Sequence, residues 1–147
     1  MAKYSDTANW GQDRLHGLLV YAADFGELDE AVELMQAGAD PNGYALIMAI
    51  QAGHPRIVQA MLSFGADPNR RYVGLAPERR ATTPLNHAVA RRELETIALL
   101  LDAGADPNAK DGEGLSSLER LRASSPAKAS PDTDVTIREL LTSRGGR

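Results

Sequence analysis

The sequence predicts an all-α fold built of repeated helix pairs, and three observations lead to this prediction. The pentapeptide Gly-Ala-Asp-Pro-Asn occurs three times, at residues 38–42, 65–69 and 104–108. Each copy follows an apolar run with helical spacing. Aromatic residues make up only 5% of the chain, whereas Ala, Leu and Gly are frequent, and small side chains let neighbouring helices approach closely.

The pentapeptide predicts where helices end. Glycine can adopt the left-handed conformation that terminates a helix, and the residue before a proline is disfavoured in the helical region. The three copies are 27 and 39 residues apart, which averages 33. The same helix stop after similar apolar runs indicates an internal repeat, in which each unit buries its apolar face against its neighbours.

Other residues predict where helices begin. The hydroxyl of Thr83 can accept a hydrogen bond from a free N–H at a helix start, and Pro84 fits the first helical position without loss of a hydrogen bond. Ser116 and Glu119 have the spacing of a capping box. Pro55 marks the start of a further helix in the same way.

Together these motifs resemble the ankyrin-repeat family, whose unit is 33 residues long. Residues 83–89, Thr-Pro-Leu-Asn-His-Ala-Val, match the family's Thr-Pro-Leu-His-x-Ala-Ala segment, with Asn86 in place of its histidine. Residues 111–118 match Asp-x-x-Gly-x-Thr-Pro-Leu, with serine replacing both threonine and proline, and residues 53–54 match the Gly-His turn between helices. The resemblance implies an ankyrin-repeat solenoid of about four helix-turn-helix units with short β-hairpin or loop fingers.

Registration on these motifs divides the chain into an N-terminal extension, 1–12, and a single domain, 13–147, of four repeats: 13–42, 43–69, 70–108 and 109–147. The family has about eight positions between the pentapeptide asparagine and the next helix start, and these form the finger. Repeat 4 keeps this length, repeat 2 has lost its finger, and repeat 3 has one enlarged by six residues. Repeat 4 also carries a Ser-, Pro- and Ala-rich insertion, 124–132, which we expect to be a mobile surface loop.

The enlarged finger of repeat 3, residues 70–82, is the main candidate for partner binding. Segment 70–92 contains six arginines and one acid, a charge of +5, whereas the residues before it sum to −6 and those after it to −3. Arg and Tyr are enriched among interface hot spots, so we predict contact with an acidic surface. The alternative is a solvated loop whose arginines provide solubility or pair with acids of neighbouring repeats. The candidate contact residues are Arg70, Arg71, Tyr72, Arg79 and Arg80.

The family resemblance implies further contacts at finger tips and on the concave face formed by the first helices. In the family, the two residues before the inter-helix glycine point to that face. These positions and the finger of repeat 4 supply the remaining candidates, Asp24, Phe25, Gln51, Arg91 and Glu113. The alternative for Phe25 is a ring that tucks against the neighbouring turn.

The composition excludes most catalytic chemistry. The chain has no cysteine, which removes thiolate catalysis and every cysteine-containing metal site. His54 is predicted to form a structural hydrogen bond, and the recurring Asp40, Asp67 and Asp106 serve the turns. No phosphate-binding glycine motif is present. We therefore expect no enzyme, no cofactor and no metal.

Charge and hydropathy restrict the partners. A pI near 5.3 argues against nucleic acid, whose phosphates need clustered basic charge. The longest apolar runs are about six residues, far below the roughly 20 that span a bilayer. We expect a cytoplasmic protein that is monomeric when free and has no membrane partner.

The leading functional hypothesis is a non-catalytic module that binds another protein. Its sharper form is an inhibitor or immunity protein that covers the active site of an effector or toxin, and it is motivated by a single compact module. The alternatives are a chaperone or assembly factor for a neighbouring enzyme, and a nucleic-acid contact through the arginine finger.

Overall fold

A computed structural model describes residues 11–72, 81–124 and 130–147. Within these ranges the chain forms eight α-helices and no extended strand, which confirms the predicted all-α repeat fold. In chain order the helices are α1 (Gln12–Phe25), α2 (Leu28–Gln36), α3 (Tyr44–Ala52), α4 (Pro55–Ser63), α5 (Pro84–Arg91), α6 (Leu94–Asp102), α7 (Ser117–Ala123) and α8 (Pro131–Ser143). None of these helices is long and apolar enough to cross a membrane.

The chain divides into two compact halves, of which the first ends at Asp67 and the second begins at Pro68. In the N-terminal half, α1 packs against α2 and α3, and α4 packs against α2 and α3. In the C-terminal half, α5 packs against α6 and α7, and α8 packs against α6 and α7. Each half therefore repeats the same arrangement of two adjacent helix pairs.

The core is built from equivalent positions of successive repeats. Each first helix of repeats 1 to 3 buries a leucine and, three residues later, an alanine, and these residues are Leu19, Leu46, Leu85, Ala22, Ala49 and Ala88. The second helices bury a large apolar residue at one shared position, namely Leu34, Met61, Leu100 and Leu141. The alanines leave space for the neighbouring helix, and the larger residues exclude water from the seam between repeats.

The helix starts follow the predicted chemistry. Thr83 Oγ1 accepts a hydrogen bond from Asn86 N at 3.0 Å, and Pro84 is the first residue of α5. At α7 the capping box is complete, because Ser116 accepts from Glu119 N while the Glu119 carboxylate accepts from Ser116 N at 2.8 Å. Repeat 2 lacks a finger, and Gly43 precedes α3 with φ 80° and ψ −137°. Only glycine adopts this conformation readily, so Gly43 allows the direct entry from the turn into α3.

The pentapeptide turns carry hydrogen bonds that explain their composition. Asp40 Oδ1 accepts from Asn42 N at 2.9 Å, and Asp106 Oδ1 accepts from Asn108 N at the same distance. The aspartates therefore close the turns, as predicted. The asparagines reach the next copy of the turn: Asn42 Oδ1 accepts from Asp67 N at 2.7 Å, and Asn69 Oδ1 accepts from Asp106 N at 2.7 Å.

Two boundaries differ from the sequence analysis. Gln12, which was assigned to the N-terminal extension, is the first residue of α1, and its side-chain amide donates to Gly38 O at 3.0 Å. The insertion predicted for residues 124–132 ends earlier, because Ser130 is the N-cap of α8 and Pro131 its first helical residue. A proline at this position favours a helix start. Residues 125–129 lie outside the described ranges.

Candidate partner-binding surfaces

The enlarged finger of repeat 3 has a fixed base. Tyr72 and Thr82 form an antiparallel β-bridge with two backbone hydrogen bonds, each 2.8 Å long. Beside it, Gly112 N in the finger of repeat 4 donates to Ala81 O at 2.6 Å. The bridge thus pairs two residues that are ten positions apart in the sequence and holds the two ends of the finger side by side.

The predicted contact residues of this finger fall into two groups. Arg70 and Arg71 are exposed and Tyr72 is half-buried at the bridge. Arg79 and Arg80 lie in residues 73–80, outside the described ranges. The two described arginines therefore place positive charge beside the base of the loop, as a basic recognition surface requires.

The first helix of repeat 1 carries an exposed aromatic pair. Phe25 is 60% exposed. Its ring lies against that of Tyr21, which is 56% exposed, with the ring centroids 4.4 Å apart and an interplanar angle of 33°. Tyr21 was not among the predicted contact residues, although its four-residue spacing from Phe25 places both rings on one face of a helix.

Two further candidates lie near this pair. Asp24 is exposed at the end of α1, and Gln51 is half-exposed at the equivalent position of α3, which packs against α1. Met48, half-exposed on α3, occupies the position equivalent to Tyr21. The first helices of the N-terminal half thus combine aromatic, thioether, amide and carboxylate groups on accessible positions.

The corresponding turn of repeat 3 is different. Arg91 is exposed and its Nε donates to Glu93 Oε1 at 2.8 Å. Arg92 replaces the inter-helix glycine and adopts a left-handed conformation with φ 57° and ψ 37°. Its side chain donates to both carboxylate oxygens of Asp134, at 2.7 and 3.3 Å, and to Ser124 O at 3.1 Å.

These ion pairs reduce the number of arginines in segment 70–92 whose charge is available to a partner. Two of the six arginines in segment 70–92, both outside the finger, are paired with acids: Arg91 with Glu93 of the same repeat and Arg92 with Asp134 of repeat 4. Arg92 is only 11% exposed, so its charge serves the packing of α8. In the described part of segment 70–92, the exposed arginines without an ion pair to another described residue are Arg70 and Arg71.

Glu113, the candidate in the finger of repeat 4, is exposed and accepts from Arg120 NH2 at 2.9 Å. Arg120 also donates to buried Asp111, from Nε at 2.9 Å and from NH2 at 2.5 Å. Glu113 thus belongs to the outer edge of a polar network, and a partner that binds Glu113 must compete with Arg120 for the carboxylate.

Asp111 is the centre of this network. Its carboxylate accepts from the backbone N–H groups of Glu113 at 2.9 Å and Leu115 at 3.1 Å, and from Asn86 Nδ2 at 3.2 Å. Burial alone raises the pKa of Asp111, but the hydrogen bonds from Arg120, the two backbone groups and Asn86 outweigh it and lower this pKa below its usual value. Burial lowers the pKa of Arg120, and its bonds to the two carboxylates more than compensate and raise it.

Asn86 explains why repeat 3 departs from the family's histidine. Its amide donates to Asp111 and to Leu115 O at 2.9 Å, and its oxygen accepts from Ser117 Oγ at 2.6 Å. The buried side chain of Asn86 therefore links α5 to the finger of repeat 4 and to α7. This role of Asn86 was not predicted from the sequence.

His54 has the structural role predicted for it. Its Nε2 lies 3.2 Å from Asp24 O, so it joins the turn of repeat 2 to that of repeat 1. A side chain at Gly26 would meet this ring, since an added Cβ would lie 2.7 Å from His54 Cε1. Within the described ranges no group of three or more acidic or histidine side chains could hold a metal ion.

An open groove of about 660 Å³ lies between α2 and α4 of the N-terminal half. Its lining combines apolar Leu28, Val32 and Ala60 with acidic Asp29 and Glu33 and basic Arg56. The described surfaces thus present several exposed recognition features on stacked helix pairs. This arrangement defines a repeat-based binding scaffold.

The comparison with protein families agrees with this class. A family model for ankyrin repeats, in three copies, matches residues 19–111. The chain therefore belongs to the ankyrin-repeat family. Ankyrin repeats mediate protein–protein interactions and are typically non-catalytic.

Several curated proteins are similar to the chain. The human cyclin-dependent kinase 4 inhibitor B is 32% identical over 101 residues, which cover 65% of this chain and 70% of the inhibitor. The mouse ankyrin repeat and SOCS box protein 6 is 34% identical over 138 residues, covering 88% of this chain and 32% of that protein. A Caenorhabditis elegans ankyrin repeat and KH domain-containing protein, mask-1, is 36% identical over 109 residues, or 71% of this chain and 4% of its own length. The chain thus spans only a small part of the larger relatives.

Proposed function

We propose that this protein is a non-catalytic module that binds a protein partner through the enlarged finger, residues 70–82, and the exposed positions of the first helices. The partner presents an acidic patch to Arg70 and Arg71, with Tyr72, Arg79 and Arg80 as further contacts. Asp24, Phe25, Gln51, Arg91 and Glu113 complete the proposed contact set.

The observation that carries this proposal is the closed base of the finger. Here the bridge between Tyr72 and Thr82, together with the bond from Gly112 N to Ala81 O, fixes both ends of the loop. Fixing the loop ends reduces the conformational entropy lost on binding, so the loop is favoured as a recognition element.

The finer proposal is that binding inhibits the partner, as an inhibitor or immunity protein does. The similarity to a protein named as an inhibitor of cyclin-dependent kinase 4 supports it, because 70% of that relative is matched. A rigid repeat module can block an active site sterically without any catalytic group of its own. A chaperone or assembly role uses the same surfaces and differs in its effect on the partner.

The test is quantitative binding to a partner captured from the native host. The test variant combines Arg71→Glu, Arg79→Glu and Tyr72→Ala, and the control is Arg138→Glu, a charge reversal at an exposed arginine of α8. We expect the finger variant to bind at least about 30-fold more weakly, since interface hot spots contribute roughly 2 kcal/mol or more each. Equal loss in both variants, or no loss in the finger variant, would contradict the finger proposal.

A second measurement separates inhibition from assembly. If the captured partner is an enzyme, its activity is measured at increasing concentrations of the wild-type chain. Inhibition that disappears in the finger variant supports the inhibitor role. An unchanged specific activity with increased soluble yield of the partner supports the chaperone role instead.

A further inference from the structure

The aromatic pair on α1 is close in sequence to an exposed acidic residue, Asp24, at the end of the same helix. Tyr21 and Phe25 are both more than half exposed, and no hydrogen bond or ion pair to the Asp24 carboxylate occurs within the described residues. His54 contacts the backbone oxygen of Asp24 and leaves the carboxylate accessible. Aromatic rings carry negative charge on their faces, so these groups attract the same kind of ligand.

The helix itself adds to this attraction. Asp24 and Phe25 are the last two residues of α1, where the helix dipole is negative. Neither α1 nor the adjacent α3 carries a basic residue in its last turn, whereas α5 ends in Arg91. The sequence before residue 70 also has a net charge of −6.

We propose that Tyr21, Asp24 and Phe25 form a subsite for a lysine or arginine side chain of the protein partner. The cation lies over the exposed aromatic rings and forms an ion pair with Asp24, and its aliphatic stem packs on the ring edges. This inference rests on the proposed protein-binding function and adds the partner's chemistry at a second surface. The partner thus presents a basic segment to the N-terminal half and an acidic patch to the finger.

Charge complementarity favours this occupant over a purely apolar segment. An apolar side chain stacked on the rings would desolvate the Asp24 carboxylate without compensation, which is unfavourable. A cation interacts favourably with both the faces of the rings and the carboxylate.

The experiment uses a displayed library of random 12-residue peptides selected against the full-length chain, followed by affinity measurements on the best peptides. We expect the bound sequences to be enriched in Lys and Arg. The double substitution Tyr21→Ala/Phe25→Ala should weaken binding about tenfold, as expected for a partly desolvated cation–π contact. Asp24→Asn should weaken it about threefold and reduce its salt dependence.

Two controls make the result specific. Replacing the peptide arginine by uncharged citrulline, or its lysine by norleucine, should reproduce the loss seen in Tyr21→Ala/Phe25→Ala. Arg138→Glu, a charge reversal at an exposed arginine of α8, should leave the affinity unchanged, and Arg71→Glu is measured in parallel as the test of the finger. All three substituted side chains in the test variants are exposed, and unchanged thermal unfolding confirms that the variants are folded.

Selected peptides without cationic enrichment, or with equal affinity for the wild type and the aromatic variant, would overturn the inference. Peptides that lose affinity only on Arg71→Glu would support the finger and reject this subsite, so the two proposals fail separately. Sedimentation tests whether a second copy of the chain binds this surface instead. Concentration-dependent self-association that is abolished by Phe25→Ala would show this and overturn the inference.

Discussion

The turns that end the first helices of repeats 1 and 3 have equivalent positions and opposite chemistry. In repeat 1 an acid and an exposed aromatic precede Gly26, whose left-handed conformation needs no side chain. In repeat 3 two arginines occupy the last positions, and Arg92 takes the left-handed conformation while it binds Asp134. The repeat backbone thus tolerates either solution, and the side chains decide whether the turn is a recognition surface or a structural clamp.

The largest expected effect lies in the polar network of the C-terminal half. Asp111→Ala should lower the free energy of unfolding by about 3 to 5 kcal/mol, because it removes the buried carboxylate that pairs with Arg120 and leaves two half-buried backbone N–H groups without their acceptor. Denaturant unfolding measures the loss. Hydrogen exchange should show the largest loss of protection in α5 and α7.

Asp102→Asn is the matched control, because the Asp102 side chain is 62% exposed and pairs with Arg144 at the surface. Its expected effect is below about 1 kcal/mol, the range of exposed ion pairs. Similar losses for the two variants would show that the Asp111 network contributes no more than a surface pair.

The second-largest expected loss of stability comes from a substitution in the turn of repeat 1. Gly26→Ala should cost about 2 to 3 kcal/mol, since a Cβ is strained at φ 77° and would displace His54 from its hydrogen bond to Asp24. Gly114→Ala is the control, because Gly114 has φ 78° and open space around an added Cβ. Thermal unfolding compares the two, and equal costs would mean that the contact with His54 adds nothing to the backbone strain.

In repeat 3 the equivalent turn depends on a side chain. Arg92→Ala should cost about 2 kcal/mol, because it removes charged hydrogen bonds to Asp134 and Ser124 while the left-handed backbone is retained. Arg92→Gly should cost about 1 kcal/mol less, since glycine adopts this conformation without strain. Denaturant unfolding of both variants measures the difference, and a more stable Arg92→Gly than wild type would reject the clamp.

Sequence reasoning predicted local features well and long-range pairings poorly. The helix stops at the pentapeptides and the caps at Thr83 and Ser116 depend on residues within a few positions, so the pattern contains them. Arg92 was counted as recognition charge because its partner, Asp134, lies 42 residues away and beyond an insertion. The role of Asn86 likewise depends on Asp111, 25 residues further along.

The candidate site shows the same limit. The family pattern selects the two residues before the inter-helix glycine, which identified Phe25 and Asp24. It does not select Tyr21, whose importance comes from a ring contact that only the helix geometry reveals. Charge counting identified the finger but could not separate Arg70 and Arg71 from the paired Arg91 and Arg92.

A smaller difference in stability is expected between substitutions of the asparagines in two successive pentapeptides. Asn69 makes two side-chain bonds to the next copy, accepting from Asp106 N and donating to Gly104 O. Asn42 accepts from Asp67 N in the next copy, and its Nδ2 donates to Asp40 Oδ1 within its own exposed turn. Because both of these Asn69 bonds join two turns and one of the Asn42 bonds is local, Asn69→Ala should cost about 0.5 kcal/mol more than Asn42→Ala. Denaturant unfolding measures both, and a larger loss for Asn42→Ala would contradict this account of the turns.

The last expected effect is a pH dependence of the free energy of unfolding, which acts through acidic residues of the C-terminal half. The pKa of Asp111 is lower in the folded chain than in the unfolded chain, so its charged form stabilises the fold above the unfolded value of about 3.9. This contribution is lost as the pH falls below that value and through the folded pKa. Glu119 acts in the same direction, because hydrogen bonds from Ser116 N and Lys110 lower its pKa. Unfolding measured between pH 6 and 3 should therefore show a steeper loss for the wild type than for Asp111→Asn, with the excess exchange confined to α5 and α7. Parallel pH profiles for the two proteins would mean that the network does not depend on the charge of Asp111.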